Sequence, residues 1–414
     1  MARGAVSSAV WAFARKAPRQ ALKIFVHPKF LNALGQDRID AVASFVDKRF
    51  ILPLRQRQTA RHRSDDLATY LKGSFCSKPF ETLETTHGGQ LFLCCPVWLP
   101  TPVGDLTQDP ETVWNGPTAR AIRESIIDGS FSYCDPVNCS VIAGRTLPRR
   151  DTPQARATID AYQQRGEPTH PAIIGLAHDK SCNLACPSCR ADIYVANKAR
   201  QAKLDGLIET SIIHYLRRAK SVFITGSGDA FGSNHFRRLL SRITAKEGEF
   251  PDLRVWLQTN GQLFDEKSWR ELNLTGRCDG ALISIDASTP ETYAYVRRPG
   301  RFDRLMKNMA FIKGLRESGE LKELSISMVV QTRNFREMGD FIDMAKSFSC
   351  DRVTFAMIRQ RDVFSRDHFD EAFIGSPDHP EYAAFVEALK DPRLDDPIAD
   401  LGNVRAYGLY QHID

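Results

Sequence analysis

Three thiols stand within eight residues at CxxxCxxC spacing, in the run Cys182-Asn-Leu-Ala-Cys186-Pro-Ser-Cys189. Thiolates spaced this way can hold three irons of a four-iron cluster, leaving the fourth iron without a protein ligand. An iron with an open position can bind a small molecule and pass it an electron, which is chemistry rather than stapling. Zinc is the competing metal, but a structural zinc site closes with four ligands. No fourth Cys or His stands close by, and the nearest His, His178, precedes the run. A disulfide framework belongs to short, Cys-dense secreted chains, whereas this chain spreads 10 Cys over 414 residues.

The elements that must position these thiols are legible as alternating strands and helices. Apolar runs with strand character occur at Ala172–Ala177, Ser221–Thr225, Leu253–Gln258, Ala281–Ile285, Leu324–Val330 and Val353–Ile358. Helical patterns fill the gaps, among them Lys203–Ala219, Asn234–Glu247, Phe302–Ser318 and Asn334–Phe348. Strand alternating with helix implies parallel β/α units. The count of such units suits an open partial barrel rather than a closed eight-stranded one. In barrels of this kind the site collects at the C-terminal strand ends. The first strand runs into His178-Asp179-Lys180-Ser181 and the thiol loop. The second ends in Thr225-Gly226-Ser227-Gly228-Asp229 and the third in Gln258-Thr259-Asn260-Gly261. The fourth carries Ser284-Ile285-Asp286-Ala287, and the fifth ends in Val330-Gln331 with Asn334 beyond. Five polar tips in register suggest a ringed ligand pocket.

Outside residues 172–360 the character changes. Residues 1–70 read as an N-terminal helical segment with a basic excess. Its first helix is expected to pack on the body, a weak contact with a membrane surface being the other reading. Residues 71–150 are Cys-containing and turn-rich. Residues 151–171, with Pro153, Gly166, Pro168 and Pro171, read as a linker, and residues 361–414 as an acidic extension. Hydrophobic residues at 42% and charged residues at 26% are ordinary for a globular protein. No apolar run is long enough to span a bilayer. The stretch Ala5–Phe13 lacks the rest of a signal peptide, so a reducing, cytoplasmic compartment is expected. The basic segment lacks interleaved aromatics, so no nucleic-acid partner is expected.

On these motifs the chain resembles the radical S-adenosylmethionine (radical SAM) superfamily over residues 172–360. The resemblance implies a partial (β/α)6 barrel, an α/β fold. It also implies that Cys182, Cys186 and Cys189 ligate a [4Fe-4S] cluster whose open iron takes SAM. Gly226, Ser227, Gly228 and Asp229 look like the family's Gly-Gly-Glu segment, which implies that Asp229 binds the SAM amino group. Ser284 and Asp286 match a fourth-strand motif facing the SAM ribose and the substrate, while Asn260, Gln331 and Asn334 match polar positions near SAM. One departure is that the family's aromatic residue before the third Cys is here Ser188. Adenine packing then falls to Ile193, Tyr194 or residues near Phe355–Ile358.

A second resemblance covers residues 74–145. Phe75-Cys76-Ser-Lys-Pro-Phe80, then Gly88-Gly89-Gln-Leu-Phe-Leu-Cys94-Cys95, then Val113-Trp114-Asn115 and Cys134 with Cys139 are similar to a SPASM or twitch domain. That small Cys-rich α+β domain implies one auxiliary [4Fe-4S] cluster on Cys76, Cys94, Cys134 and Cys139, with Cys95 as a substitute. Here it precedes the barrel instead of following it. Zinc would accept the same four thiolates.

The function implied is reductive cleavage of SAM to a 5′-deoxyadenosyl radical that abstracts hydrogen from a small-molecule or sugar-like substrate. An auxiliary cluster would assist oxidation or relay electrons, and a donor such as flavodoxin or ferredoxin would supply them. Maturation of a ribosomal peptide is the alternative, and a non-enzymatic iron–sulfur redox protein a lesser one. Cobalamin-dependent methyl transfer is disfavoured for want of a DxHxxG run. Cys278 and Cys350 read as core residues, with an epimerase role as hydrogen donor the minor reading. Arg297 and Arg298 read either as an anion-meeting pair or as a solvated helix end.

Overall fold

Along the strands Ser221–Ile224, Arg254–Thr259 and Arg352–Met357, buried positions alternate with more accessible ones, so the two faces of the sheet meet different surroundings. The computed structural model describes residues 64–405 and 407, apart from 167, 169, 225, 226 and 361–365. The expected N-terminal helical segment, with its membrane-surface reading, therefore lies outside the described residues up to position 63. Residues 65–70 belong to a helix, Asp65–Lys72. No helix among the described residues is long and apolar enough to cross a membrane.

Ten strands form one sheet: β1 (Thr82–Thr85), β2 (Gln90–Phe92), β3 (Gly104–Asp105), β4 (Ile173–Leu176), β5 (Ser221–Ile224), β6 (Arg254–Thr259), β7 (Cys278–Ser284), β8 (Glu323–Val330), β9 (Arg352–Met357) and β10 (Ala399–Asp400). Their order is β10-β9-β8-β7-β6-β5-β4-β1-β2-β3. The six expected strands are β4 to β9, all parallel neighbours in sequence order. The α/β, parallel-dominated architecture is thus as the sequence implied.

One face of β4–β9 carries Ile174, Leu176, Val222, Ile224, Val255, Leu257, Ile283, Ile326 and Phe355, all essentially inaccessible. The crossing helices cover it. The helix Asn234–Ile243, capped by Ser233, buries His235, Phe236, Leu239, Leu240 and Ile243 at helical spacing. Each large apolar side chain so buried contributes roughly 1.5–3 kcal/mol. The other face is half-open. Side by side on it lie Glu84, Gly175, Phe223, Trp256 and Gly280, in register from β1 to β7.

Three expectations need correction. The segment 71–150, expected as a small domain preceding the barrel, shares the barrel's sheet, because β1 pairs in parallel with β4 and β2 and β3 extend the same sheet antiparallel. Its apolar residues join the main core. The supposed linker contains a helix, Pro153–Arg165. Two of the residues that suggested a linker are its boundaries: Pro153 opens the first turn behind the Thr152 cap, and Gly166 ends the helix at φ 77°. The helix expected at Lys203–Ala219 runs instead from Lys198 and passes through a π-helical stretch, Ile208–Ile212, before ending at Leu216.

The Cys-rich segment also reaches the far side of the barrel. Its short helix Ser140–Ala143 lies against the turn Gly402–Val404, which packs on β9. Arg359, just past β9, donates to the Asn138 carbonyl at 3.3 Å. The opening of the partial barrel is therefore spanned from the β1 edge to the β9 edge.

Gly280 gives the open face its floor, because a Cβ there would stand 2.3 Å from Cζ3 of Trp256. Gly280→Ala should force the indole out of place at a cost of about 1–3 kcal/mol, as in other overpacked sites. A thermal midpoint several degrees below wild type is expected in a melting experiment. An unchanged midpoint would mean that the indole does not rest there.

Candidate active site at the strand tips

The thiol loop leaves β4 at Ala177 and is anchored at both ends. The Cys182 N–H donates to the Tyr194 carbonyl at 2.8 Å, and Ala185 N–H donates to the Arg298 carbonyl at 2.8 Å. Cys182 and Cys186 are buried around Leu184, with Cys189 packed against them. Each sulfur accepts from a different side chain: Asn260 Nδ2 donates to Cys182 Sγ (3.7 Å), Arg297 to Cys186 Sγ (3.9 Å) and Arg190 to Cys189 Sγ (3.7 Å). Donors aimed at sulfur suit ligating thiolates rather than neutral core thiols. In the metal-free chain, burial pushes the Cys182 thiol up to about 11, with Asp229 adding to the rise. Burial likewise raises Cys186, which Arg297 opposes. Loading iron must therefore displace protons. Among the described residues no three His, Cys, Asp or Glu side chains gather as a single metal ion requires.

The loop after β5 docks on this one. Ser227 donates to the Ala177 carbonyl at 2.8 Å and its own carbonyl accepts from Arg190 at 2.6 Å. A Cβ on Gly228 would stand 2.4 Å from the Ser181 carbonyl oxygen, so only glycine fits there. Gly226 lies outside the described residues. Asp229 is engaged within the chain. Its carboxylate, 1% exposed, accepts from the N–H groups of Phe231 (3.0 Å), Gly232 (2.9 Å) and Asn260 (2.8 Å) and from the Thr259 hydroxyl (2.8 Å). Four acceptor positions are about what a carboxylate has. Asp229 thus braces the loops after β5 and β6.

Asp286 also turns out to be committed within the chain. It takes a left-handed φ of 64°. One carboxylate oxygen accepts from Val329 N–H at 2.7 Å, and the other pairs with Arg297 at 2.8 Å. Asn334 Nδ2 donates to the carbonyls of Asp286 (2.8 Å) and Val329 (3.0 Å), while its Oδ1 accepts from Gln331 N–H (2.8 Å). Ser284 stands on the open face between Gln258 (3.5 Å) and Ser327 (3.3 Å), in a polar row across β6, β7 and β8. Ile193 and Tyr194, the expected adenine partners, are 50% and 41% exposed.

The sequence reading missed Arg190 and left Arg297 open. Arg297 is no solvated helix end, because its side chain is only 12% exposed. Adjacency to the third Cys was the available signal for Arg190. None existed for Arg297, which is far in sequence. Cys278 and Cys350 are buried at the strand starts, away from the tips, and burial pushes each up to about 12.

In the second thiol set, Cys76, Cys94 and Cys95 lie close enough to Lys78 to act on its charge, while Cys134 acts on Cys94, and Cys139 is acted on by Cys76 and Cys95. Burial first, and then the mutual repulsion of the thiols, raises Cys94 well above the usual range. Lys78 is pulled up by Cys94, Glu84, Cys76 and Cys95 against the opposing effect of burial. The Cys94–Cys95 and Cys134 loops are joined where Asp135 N–H donates to the Trp98 carbonyl at 2.7 Å.

Beneath the thiol loop lies a buried pair of imidazoles. Asp205 holds His235 Nδ1 at 2.7 Å, His235 Nε2 meets His178 Nε2 at 2.8 Å, and His178 Nδ1 meets the Thr85 hydroxyl at 3.1 Å. With Asp205 ionised and both rings neutral, each contact has one donor and one acceptor. Burial, reinforced by His235, drives the His178 pKa well down, and burial also lowers His235.

Residues 178–345 match the family model described as the Radical SAM superfamily. Over that stretch the chain is similar to the superfamily, and S-adenosylmethionine and a [4Fe-4S] cluster are the cofactors that this likeness supports. An uncharacterized protein of Archaeoglobus fulgidus is 25% identical over 164 residues, which are 40% of this chain and 36% of that one. Streptococcus suis SuiB bound to precursor peptide SuiA aligns with 70% of this chain and 63% of its own, at 14% identity and a TM-score of 0.37. A radical S-adenosylmethionine methyltransferase, TsrM from Kitasatospora setae, aligns with 44% of this chain and 36% of its own, at 14% identity and a TM-score of 0.31. The chain thus spans less than two thirds of the length of these relatives, and the likeness is too weak to carry a substrate or partner across.

Two outcomes are expected. Asp229→Asn puts an N–H₂ where donors already point, so the apo-protein should lose about 1.5–3 kcal/mol, the usual range for a hydrogen bond to a charged group. Unchanged melting with weakened SAM binding in calorimetry would instead support a direct anchoring role. The imidazole pair gives a pH dependence. Unfolded His titrates near about 6.5, and the folded rings resist protonation, so the unfolded state binds more protons below that value. Apo-protein stability should therefore fall from about pH 6.5 downward. His178→Gln should flatten that decline in melts at several pH values, and an unaltered slope would show that the pair is not its source.

Proposed function

We propose that this chain cleaves S-adenosylmethionine reductively at a [4Fe-4S] cluster held by Cys182, Cys186 and Cys189. It then abstracts hydrogen from a small-molecule or sugar-like substrate. An auxiliary four-iron cluster on Cys76, Cys94, Cys134 and Cys139 assists oxidation or electron relay. The observation that carries the reading is the three-sulfur loop in which every sulfur has its own side-chain N–H donor. When bound, cluster and SAM together supply a 5′-deoxyadenosyl radical. A flavodoxin- or ferredoxin-type donor supplies the electron, in a reducing, cytoplasmic setting.

The chain's own residues orient and enclose. Asp229 and Asp286 lock the loops that surround the thiols. The half-open sheet face receives the substrate, with Phe223 and Trp256 against its carbon skeleton and Gln258, Ser284 and Ser327 for its polar groups near the tips. Holding the reacting carbon close to the radical is most of the protein's contribution to rate.

Anaerobically reconstituted protein should hold about eight irons per chain, four in each cluster. Ala at Cys182, Cys186 and Cys189 together should halve the iron and abolish 5′-deoxyadenosine formation. Persistent formation would sink the catalytic assignment. Cys76→Ala with Cys134→Ala should remove the other half while uncoupled SAM cleavage continues; full iron, or one zinc per chain, would make the second set a structural knuckle. Deuterium incorporated into 5′-deoxyadenosine from a labelled small-molecule pool supports the substrate class. Incorporation only from labelled peptides would replace it with peptide maturation.

A further inference from the structure

The Asp286–Arg297 ion pair lies against the thiol loop, with Arg297 also donating to Cys186 Sγ. Arg297 is drawn out of solvent to 12% exposure and Asp286 to 1%, with 2.8 Å between them. Desolvating such a pair costs several kcal/mol per ion before their attraction is counted. Asp286 holds its place at φ 64°, off the usual backbone regions. The remaining face of the guanidinium is turned to the thiol loop, where Nη1 donates to Cys186 Sγ at 3.9 Å. Its Nε is buried with no hydrogen-bond partner. The other two sulfurs are served differently. Cys182 has the neutral amide of Asn260, and Cys189 has Arg190, which is half-buried and tied to the carbonyls of Lys180 and Ser227. Cys186 alone has a cation paired with a buried carboxylate behind it.

We propose that Arg297 and Asp286 are positioning residues that set the reduction potential of the cluster ligated by Cys186, and that they act with opposite sign. Reduction adds one electron to the cluster and takes one from a flavodoxin- or ferredoxin-type donor; no bond forms or breaks. A guanidinium donating to a ligand sulfur stabilises that added charge and raises the potential. The Asp286 carboxylate offsets part of the effect and holds the guanidinium against the sulfur. Hydrogen bonds to sulfur, net charge and burial are the levers by which proteins tune such clusters, and in a site this dry each charge acts strongly.

The test is an anaerobic potentiometric titration followed by EPR, without SAM, on reconstituted full-length protein. The signal lost in Cys186→Ala identifies the cluster concerned. Arg297→Gln should shift its midpoint to lower potential. Asp286→Asn should shift it to higher potential, since it keeps the side-chain shape and Asn tolerates a left-handed φ. The double variant should fall between the two. If Arg297→Gln does not load iron, Arg297→Met takes its place with the same expected sign. A tie that merely held the loop would give both single variants shifts of the same sign, or none, and either result overturns the inference. It rests on ligation by Cys186. If Cys186→Ala leaves every cluster signal in place, that ligand assignment fails and the inference falls with it. If the signal vanishes there but both ion-pair variants keep the wild-type potential, the inference alone fails.

Discussion

Asp229 is the point at which the loops of three successive strands are held to one another. It accepts from its own loop at Phe231 and Gly232 and from the next at Thr259 and Asn260. Its backbone N–H donates to the Ser181 carbonyl of the thiol loop at 2.9 Å. Asn260, fixed in this way, turns its amide to Cys182 and Asn183. The position of the thiol loop is thus set by a buried charge that needs every one of its donors, because an ionised carboxylate left short of partners inside a protein is costly. Gly228 permits the arrangement by letting the two backbones touch.

The same logic is repeated on the other side of the thiols. Asp286 ties the tip of β7 to β8 through Val329 and to the helix end through Arg297, and Arg298 closes on Ala185 with both backbone and side chain. Two buried aspartates therefore flank the loop, one facing an amide and one a guanidinium. The first builds rigidity from neutral donors, and the second brings a charge to a sulfur. Rigid support of this kind is what a site needs when a reacting atom must be held within a fraction of an ångström.

The sheet explains how the Cys-rich segment joins this centre. β1 pairs with β4, so Thr85 reaches His178 at the base of the thiol loop while Glu84 lies on Gly175 at the edge of the open face. At its other end the segment meets Arg359, just past β9, through Asn138, and the turn at Gly402 through Ser140. A module that spans both edges of an open barrel shapes the chamber between them.

The sequence by itself determined the parallel β/α alternation, the thiol loop and the polar strand tips, because these follow from local periodicity and spacing that survive any tertiary context. It also marked Cys278 and Cys350 as core. What it could not determine was which polar groups face outward to a ligand and which inward to the chain. Asp229 and Asp286 are the same residue type at the same kind of position, whether they bind a cofactor or brace a loop; only the donors brought up from Thr259, Asn260, Val329 and Arg297 decide it. Arg297 lies more than a hundred residues from Cys186, and its burial is a product of the fold. The Pro and Gly around residues 153–166 were ambiguous for a related reason, since both are helix boundaries as readily as linker residues. Tertiary structure decided these cases because satisfaction of buried charges and backbone groups depends on partners that sequence distance hides.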